Sequence, residues 1–310
     1  MKNILASAIL LMALVVSGCG SSPSATPENS EPAPAGGSSA ETITYQSENG
    51  PVEVPADPQR VIVLSGYTGN VLSLGVNLVG VDVWSKLNPR FAEALKDVEE
   101  VSDENLEKII ELEPDLIIGY SSTKNIDKLR QIAPTVTFNY DTSVDYLAQH
   151  LEIGKLLNKE KEAQAWIDDF KQRAQQAGEE IRAKIGEDAS VSVIESFDKQ
   201  IYVFGDSWGR GTEILYQEMK LKMPEKVKEM ALKDGYYALS VEVLPEYMGD
   251  YVIFSKNSDA DNSFQETDTY KNIPAVKNNR VFEANSAEFF FNDPLTLEYQ
   301  LEFFREHFLR

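Results

Sequence analysis

Residues that build metal and redox sites are almost missing from this chain. Its 310 residues include one cysteine, Cys19, and two histidines, His150 and His307. One cysteine excludes an intramolecular disulfide, and two histidines so far apart in sequence predict neither a zinc nor a copper site. We also find no phosphate-binding loop, nucleophile elbow or H-E-x-x-H pattern. We therefore expect a protein that is not an enzyme and that holds no cofactor or metal of its own.

Positive charge is also scarce. Lysine and arginine total 29 against 50 aspartates and glutamates, which gives a formal net charge of -21. Such a charge disfavours nucleic acid as a partner, and it disfavours wide contact with anionic lipid. A basic residue in a pocket-like setting is for this reason more informative than usual.

The first residues have the pattern of an exported protein. Lys2 precedes the apolar run ILASAILLMALVV, and small residues lead to Cys19, which predicts a signal peptide over 1–18 rather than a membrane span. The ending V-S-G-C resembles a bacterial lipoprotein signal, which implies cleavage before Cys19 and lipidation of its sulfur. Residues 19–41, rich in Ser, Pro, Gly and Ala, then form a flexible tether. We expect the protein to be lipid-anchored on the extracellular face of the cell membrane.

Beyond the tether, short β-rich runs alternate with helical-looking stretches. Asn49-Gly50 predicts a hairpin, and RVIVLS, NLVGVDV, PDLIIGYS and PTVTFNY predict strands of a largely parallel sheet. We place an N-terminal α/β lobe at 42–144. The alternation resumes in ASVSVIES, QIYVFG, GDYVIFS and NRVFEAN. These runs predict a C-terminal α/β lobe at 187–310, which closes with a helix that begins at Asp293.

A linking helical region at 145–186 separates the predicted lobes. Apolar residues recur there at steps of four and three from Ala163 to Ile185, with charges between them. This period predicts one amphipathic helix of about 25 residues, roughly 40 Å long, and the pattern is too short for a coiled coil. The predicted fold class is α/β: two lobes with central, mostly parallel sheets, joined by a single long backbone helix, with the ligand cleft between the lobes.

The two lobes also share a short sequence pattern. Glu107 in EKIIELEPDLII and Glu242 in EVLPEYMGDYVI each lie eight residues before an aspartate, Asp115 or Asp250, that leads into an apolar strand. A glutamate in a first helical turn is common, so one such match carries little information. A matched pair on two lobes indicates equivalent positions.

Aromatic residues collect where the predicted strands end. Ligands of open α/β sheets bind at the carboxyl ends of the strands, and Tyr or Trp suits a cleft for a moderately polar molecule. In VFGDSWGRGTEIL, Trp208 and Arg210 lie among glycines that predict a loop followed by a helix. Core packing is an alternative for any single aromatic residue, but a Trp and an Arg on a glycine-rich loop are poor core material. We predict a ligand site formed by Tyr67, Tyr120, Tyr140, Tyr202, Trp208, Arg210, Phe290 and Phe291.

These stretches resemble one family. The lipoprotein start, the long helix and the runs FDKQIYVFGDSWGRGTEILYQEMKLKMP, EKIIELEPDLII, IAPTV, GDYVI and NDPLTL are similar to the ferric hydroxamate siderophore-binding lipoproteins of ABC importers in Gram-positive bacteria. The resemblance covers essentially the whole mature chain. It implies two α/β lobes that hold the iron chelate in a shallow cleft with limited closure. The iron arrives wrapped by its chelator and needs no protein ligand.

The resemblance also implies roles for individual residues. Arg210 would hydrogen-bond the hydroxamate oxygens, and Trp208 and Tyr202 would pack on the chelate. Tyr120 and Tyr140 match pocket tyrosines of the first lobe. Glu107 and Glu242 match acidic residues that dock onto arginines of the permease. We expect a monomer whose partners are the ferric siderophore, the ABC permease and, through its lipid, the membrane.

The chemistry of the pocket favours one class of chelate. A ferric trihydroxamate is near neutral, with polarised oxygens and apolar linkers, which matches one guanidinium and aromatic walls. A ferric triscatecholate carries about three negative charges and needs several basic groups; Lys86, Lys124 and Lys199 are candidates whose orientation is open. Phe289-Phe290-Phe291 stand where close relatives carry Tyr or Trp, so the exact siderophore is open too. A citrate-hydroxamate, a catecholate, haem or a corrinoid is an alternative in the same fold, and a surface-anchored enzyme or adhesion module is an alternative of another class.

Overall fold

The computed structural model describes residues 41–139 and 145–310. The predicted signal peptide, the tether with Cys19, and Tyr140 lie outside the described residues. No helix within the described ranges combines the length and the apolar character needed to cross a membrane.

The first lobe contains a hairpin and a five-stranded sheet. Its strands are β1 (Thr42–Ser47), β2 (Gly50–Pro55), β3 (Val61–Val63), β4 (Leu78–Val81), β5 (Glu99–Glu100), β6 (Leu116–Tyr120) and β7 (Thr135–Phe138). The predicted hairpin is present: β1 and β2 are antiparallel, and the turn consists of Glu48 and Asn49, with Gly50 opening β2 opposite Ser47. The sheet has the order β5-β4-β3-β6-β7, and every pair in it is parallel. β3 and β7 are buried along their whole length, which is typical of parallel strands covered on both faces.

The strand order of this sheet positions the site. The chain runs from β3 outward to β4 and β5 and then returns to β6 on the other side of β3. The strand order therefore reverses between β3 and β6, and a crevice opens at their carboxyl ends. Tyr67 follows β3, and Tyr120 ends β6. The helices of this lobe are α1 (Thr68–Ser73), α2 (Val83–Leu87), α3 (Leu106–Glu111) and α4 (Ile126–Ile132), with a 3-10 turn at Pro89–Phe91.

Two helices follow the first lobe. They are α5 (Tyr146–Leu156) and α6 (Glu160–Ile185). The 26 residues of α6 span about 39 Å, which confirms the predicted backbone helix. Its buried residues recur at helical spacing: Ala163, Ile167, Phe170, Ala174, Ala177, Gly178 and Ile181. Five of them, Ile167, Phe170, Ala174, Ala177 and Ile181, belong to the core of the second lobe.

The second lobe has a mixed sheet. Its strands are β8 (Val191–Phe197), β9 (Gln200–Phe204), β10 (Tyr236–Leu239), β11 (Tyr251–Lys256) and β12 (Val281–Asn285), in the order β10-β9-β8-β11-β12. β8, β11 and β12 are parallel, whereas β9 is antiparallel to both of its neighbours. The prediction of mostly parallel sheets is thus too strong for this lobe. Only Asp198 and Lys199 separate β8 from β9, and a parallel crossover needs a dozen or more residues.

The helices of the second lobe are mostly short. They are α7 (Glu225–Ala231), α8 (Asp268–Lys271), α9 (Pro274–Lys277), α10 (Ser286–Phe289) and α11 (Pro294–Leu309), with 3-10 turns at Leu244–Glu246 and Ser263–Glu266. The segment Glu213–Glu218, expected as the start of a helix, is π-helical. Asp293 caps α11, because its carboxylate accepts the N–H groups of Leu295 and Thr296.

An equivalent aspartate stands before a central strand in each lobe. The Asp115 carboxylate, before β6, accepts the backbone N–H groups of Gln59 and Arg60 at 2.6 and 3.0 Å, just before β3. The Asp250 carboxylate, before β11, accepts the N–H of Ser190 at 2.8 Å, just before β8. Each aspartate therefore fixes the start of the neighbouring parallel strand, and the pattern shared by the two lobes in sequence has a shared structural role.

The lobes are linked by more than the long helix. The three phenylalanines after β12 divide between the cores: Phe289 packs in the core around α6, and Phe291 packs in the core of the first lobe. α11 then packs against both α6 and α1. Residues 289–295 therefore cross from one core to the other.

Candidate ligand-binding site

A cavity of about 120 Å³ lies where the two lobes meet. The ends of β3 and β6, the start of α5, the loop before the π-helical segment and the phenylalanine run surround it. The predicted ligand-binding residues that line it are Tyr67, Tyr120, Trp208, Arg210, Phe290 and Phe291. Tyr140 lies outside the described residues, although its neighbour Asn139 is part of the lining.

Two tyrosines form the first-lobe wall of the cavity. The rings of Tyr67 and Tyr120 meet edge to face with centroids 5.1 Å apart, and Tyr67 meets Phe138 in the same way at 5.4 Å. The Tyr120 hydroxyl accepts the backbone N–H of Gly66 at 2.9 Å. A Cβ on Gly66 would lie 2.6 Å from that oxygen, so this close approach requires glycine. The tyrosine wall is therefore held in place before any ligand arrives.

The second-lobe wall is a loop with an unusual backbone. Four consecutive residues have positive φ: Trp208 (90°), Gly209 (72°), Arg210 (57°) and Gly211 (78°). A bulky side chain at φ of 90° is costly, and such a conformation persists only where its surroundings impose it. Here the N–H of Arg210 donates to the carbonyl of Phe289 at 2.8 Å. The loop is therefore pinned to the phenylalanine run.

The side chain of Glu213 also holds this loop in place. Its buried carboxylate accepts the backbone N–H of Gly209 at 2.8 Å, the Nδ2 of Asn292 at 3.0 Å and the hydroxyl of Thr212 at 3.0 Å. Burial raises the pKa of Glu213, and these hydrogen bonds oppose the rise. Glu213 was not predicted as a site residue, because a glutamate at the start of a helical segment is common as a capping residue.

Arg210 is not a lone cation in the cavity. Its Nη2 and Nε donate to the two carboxylate oxygens of Glu195 at 2.8 and 3.1 Å, and its Nη1 donates to the Trp208 carbonyl at 2.9 Å. Arg210 is 7% exposed and Glu195 is 2% exposed. The Ser255 hydroxyl donates to Glu195 as well, at 2.7 Å. Arg210 therefore lines the cavity as half of a buried ion pair, and its role in ligand binding stays a prediction.

The signal for Glu195 was present in the sequence. It is a charged residue inside the apolar run ASVSVIES of β8, where a buried carboxylate requires a partner. The partner is fifteen positions further along the chain, on another element, and the strand pattern does not say which cation it is.

Trp208 is supported by a second tier of aromatic rings. Its ring meets Tyr236 edge to face at 5.2 Å, and Tyr236 meets Tyr202 at 5.8 Å. Tyr202 lies on β9 and is not among the residues that line the cavity. The structure thus places Tyr202 behind Trp208 rather than against the space for a ligand.

A second cavity of about 320 Å³ adjoins the first and shares Phe290 and Phe291 with it. Trp84 stacks on the Phe290 ring with parallel planes and centroids 5.7 Å apart. The Arg210 guanidinium also contacts this Phe290 ring, 4.3 Å from its centroid. Trp84 is 51% exposed, and Phe197 at the same cavity is 44% exposed. Sequence reasoning missed Trp84, since it lies on a short helix without a motif.

Among the described residues, neither cavity is lined by a cluster of metal-binding side chains or by several lysines and arginines. Across 41–139 and 145–310, no cluster of three or more His, Cys, Asp or Glu side chains could hold a metal ion. Lys86, Lys124 and Lys199 do not belong to either lining. Lys86 donates to the carbonyl of Leu95, and Lys124 pairs with Glu104.

A buried histidine lies behind the cavity. Asn70, which lines the cavity, donates its Nδ2 to His150 Nδ1 at 3.2 Å. His150 is 1% exposed and meets Trp166 edge to face. Burial lowers the pKa of His150 to about 4, so the side chain is neutral at pH 7 and supports Asn70 from behind.

Comparison with known proteins gives relatives of one kind. Residues 61–288 match the family described as periplasmic binding protein. The chain is 37% identical to the iron(3+)-hydroxamate-binding protein FhuD of Bacillus subtilis, with 86% of each protein covered. It is 35% identical to the iron(3+)-hydroxamate-binding protein YxeB of the same organism, over 97% of this chain and 95% of that protein. The solved structure of FhuD2 from Staphylococcus aureus with bound ferrioxamine B gives a TM-score of 0.77 at 33% identity, covering 81% of this chain and 98% of that one.

The similarity includes the elements that build the cleft. The residues matched by the family run from β3 to α10 and contain the long helix α6, the Trp208 loop and Arg210. The structural likeness extends over most of the described fold. On both grounds, the chain belongs to the periplasmic binding protein family.

Proposed function

We propose that this protein is an extracellular solute-binding lipoprotein that captures a ferric hydroxamate-type siderophore and delivers it to an ABC permease for iron uptake. The observation that carries the ligand class is the cleft itself, in which the guanidinium of Arg210 lies among aromatic rings from both lobes. The relatives named for iron(3+)-hydroxamate binding support the same class.

The guanidinium of Arg210 has donors left for a ligand. Five N–H groups are available on an arginine. Among the described residues, Glu195 and the Trp208 carbonyl take three of them. The remaining two, one on each terminal nitrogen, suit the polarised oxygens around a hydroxamate-bound iron. The ion pair with Glu195 fixes the plane of the guanidinium, so these donors are oriented in advance.

Aromatic rings supply the rest of the contact. Tyr67 and Tyr120 on one side and Trp208 and Phe290 on the other offer flat apolar area to the linkers of the chelate. Catecholate complexes are disfavoured, because Arg210 is the sole lysine or arginine among the described residues that line either cavity, and Glu195 already neutralises it.

Delivery to a permease is supported by two exposed glutamates. Glu107 lies in the first turn of α3, and Glu242 lies just before a 3-10 turn of the second lobe. Both are exposed. Each stands eight residues before one of the equivalent aspartates that fix the central strands. We infer that they dock onto basic residues of the two permease subunits, while the diacyl group on Cys19 keeps the protein, as a monomer, at the membrane.

The test is a titration of the mature chain carrying Cys19→Ser. Ferrioxamine B, a ferric citrate-hydroxamate and a ferric triscatecholate are added separately while tryptophan fluorescence is followed. Trp208 lines the first cavity and Trp84 the second, so a bound ferric chelate quenches both indoles. Saturable quenching by a hydroxamate below micromolar concentration supports the proposal. Quenching by the catecholate alone contradicts the ligand class, and no quenching by any of the three contradicts the siderophore assignment.

Arg210→Lys is the informative variant in this titration. Lysine keeps a cation beside Glu195 and so avoids leaving a buried carboxylate unpaired, but it lacks the planar fork of donors. We expect about tenfold weaker hydroxamate binding, which corresponds to about 1.4 kcal/mol. Unchanged affinity would remove the guanidinium from the ligand contact.

A further inference from the structure

The buried pair of Arg210 and Glu195 decides the net charge that a ligand meets. We propose that Glu195 is a specificity-determining residue: by neutralising Arg210 it restricts the cleft to neutral or cationic ferric chelates and excludes anionic ones. This inference rests on the proposed function and adds to it the charge class of the siderophore.

The geometry of the pair is that of a fixed, two-point contact. Both oxygens of Glu195 are engaged, at 2.8 and 3.1 Å from the guanidinium nitrogens, and the Ser255 hydroxyl holds one of them from the other side. Both side chains are almost completely buried. Charges in such surroundings are screened much less by salt and water than surface charges are. Glu195 therefore cancels most of the field of Arg210 at the cleft.

The remaining charges near the cleft do not restore a positive potential. The charged residues lining the two cavities, within the part of the chain that the structure describes, are Arg210, Glu195, Glu213 and Asp259. The nearby Arg90 is paired with Glu288 at 2.7 Å and lies over the Tyr299 ring. An anionic ligand would thus enter a cleft with three carboxylates and one guanidinium, and it would lose hydration without gaining a counter-charge.

Glu195 and Arg210 also sit where the two cavities meet. Arg210 lines the first cavity, Glu195 lines the second, and Phe290 lines both. A chelate held in the first cavity would extend any pendant arm toward the second. The charge of that arm, as well as that of the iron centre, is therefore exposed to Glu195.

The test compares three chelates with one ferric trihydroxamate core. Ferrioxamine B carries a pendant ammonium group, its N-acetyl derivative has a neutral arm, and its N-succinyl derivative ends in a carboxylate. We expect the native chain to bind the N-succinyl chelate most weakly. In Glu195→Gln, the ratio of the N-succinyl Kd to the N-acetyl Kd should fall about tenfold, or about 1.4 kcal/mol.

Comparing the two Kd values within one variant separates a change in charge selectivity from a loss of folding. A loss of folding or a displaced Arg210 weakens binding of both chelates in the same variant, whereas the proposal predicts a change in their ratio. The double variant Glu195→Gln with Arg210→Gln removes both charges, so its ratio should return close to the native value. A ratio that stays low in the double variant contradicts charge compensation.

Asp198→Asn is the matched control. Asp198 is exposed to solvent, follows the strand that carries Glu195 and lies outside both linings, so removing its charge should change the ratio less than about twofold. An equal effect of Asp198→Asn and Glu195→Gln would overturn the proposal, because selectivity would then follow total acidity rather than the buried pair. An unchanged ratio in Glu195→Gln overturns it as well. Failure of the native chain to bind the N-acetyl chelate contradicts the proposed function instead.

Discussion

At the scale of single residues, the site depends on glycines that leave room for aromatic rings. Gly235 has a φ of 81°, and a Cβ there would lie 2.0 Å from Cδ1 of Trp208. Gly66 leaves similar room for the Tyr120 hydroxyl. In each wall of the cleft, the backbone of a glycine therefore lies directly against an aromatic side chain: Gly235 against Trp208, and Gly66 against Tyr120.

Gly235→Ala should displace the Trp208 ring and weaken ligand binding. The added methyl group would overlap the indole of Trp208, so the ring must leave its position in the cavity wall. We expect at least tenfold weaker binding of ferrioxamine B, together with altered Trp fluorescence of the free protein. The control is Gly75→Ala, because Gly75 has a similar φ of 73° and nothing within 4 Å of its Cβ position. Both variants carry the backbone cost of about 1 kcal/mol, but only Gly235→Ala should lose affinity.

His150 should make the protein less stable in mild acid. Its folded-state pKa of about 4 is below the ordinary value of about 6.5, so the unfolded chain binds the extra proton first. Its stabilising contribution is complete above about pH 6.5 and is lost as the pH falls toward 4. Between pH 7 and 5 the loss is about 2 kcal/mol in the free energy of unfolding.

Denaturant unfolding at several pH values checks this prediction. His150→Gln should flatten the pH dependence over that interval, because glutamine takes up no proton there. Equal slopes in the native chain and in His150→Gln would contradict the prediction.

The sequence indicated the aromatic residues and Arg210 but missed their partners. Spaced glycines around Trp208 predict a loop, and tyrosines after strands predict a cleft, because both signals are local. Glu195 and Trp84 meet the site through tertiary contacts between separate segments. Glu213 lies four residues from Gly209, and its contact with Asn292 is the tertiary one. Tyr202 was assigned to the pocket by resemblance; it lines neither cavity and reaches Trp208 through Tyr236.

At the scale of elements, α6 is fitted against the second lobe at a small residue. Gly178 faces the backbone of Met219, where a Cβ would lie 2.4 Å from the carbonyl oxygen and 2.5 Å from Cα. Arg182, one turn further along α6, donates to the same carbonyl. The helix and the π-helical segment that precedes Met219 thus touch backbone to backbone.

Gly178→Ala should destabilise the protein although it improves the helix. Alanine favours an isolated helix over glycine by about 1 kcal/mol, but overpacking a tight contact costs about 1–3 kcal/mol, and the obstructing atoms here are backbone. We expect a net loss of about 1–2 kcal/mol in the free energy of unfolding. Gln175→Ala on the exposed face of α6 should change it by less than about 0.5 kcal/mol. A gain in stability in Gly178→Ala would show that Met219 moves away without cost.

The elements were more predictable than their pairing. Apolar periodicity located α6, and short β-rich runs located the strands of both sheets except β5 and β10. Periodicity does not encode strand direction. The short connection of Asp198 and Lys199 carried the signal for the antiparallel β9, and β10 went unassigned in the sequence because its residues alternate weakly.

At the scale of the whole molecule, the two lobes share a pair of central parallel strands and carry the exposed Glu107 and Glu242 in comparable places. The aspartates that follow these glutamates hold that pair of strands in each lobe. Equivalent positions on two lobes suit a partner built from two similar subunits. The proposed docking would give the permease one contact on each side of the cleft.

Replacing both glutamates should separate transport from binding. Glu107→Ala with Glu242→Ala removes two exposed charges that lie outside both cavity linings. We expect unchanged affinity for ferrioxamine B and loss of iron uptake in cells that express the variant. Glu113→Ala with Glu246→Ala removes the same charge from the same two lobes and is expected to transport normally. Normal uptake with Glu107 and Glu242 both replaced would contradict docking.

The crossing of the phenylalanine run between the two cores has a consequence for stoichiometry in the cell. Swinging the lobes apart would pull Phe289 from one core or Phe291 from the other, so we expect empty and loaded molecules to have similar outlines. Under the proposed docking, a permease that recognises this outline would also accept empty molecules. We then expect uptake to rise with the abundance of this protein only to an optimum, beyond which surplus empty copies compete with loaded ones.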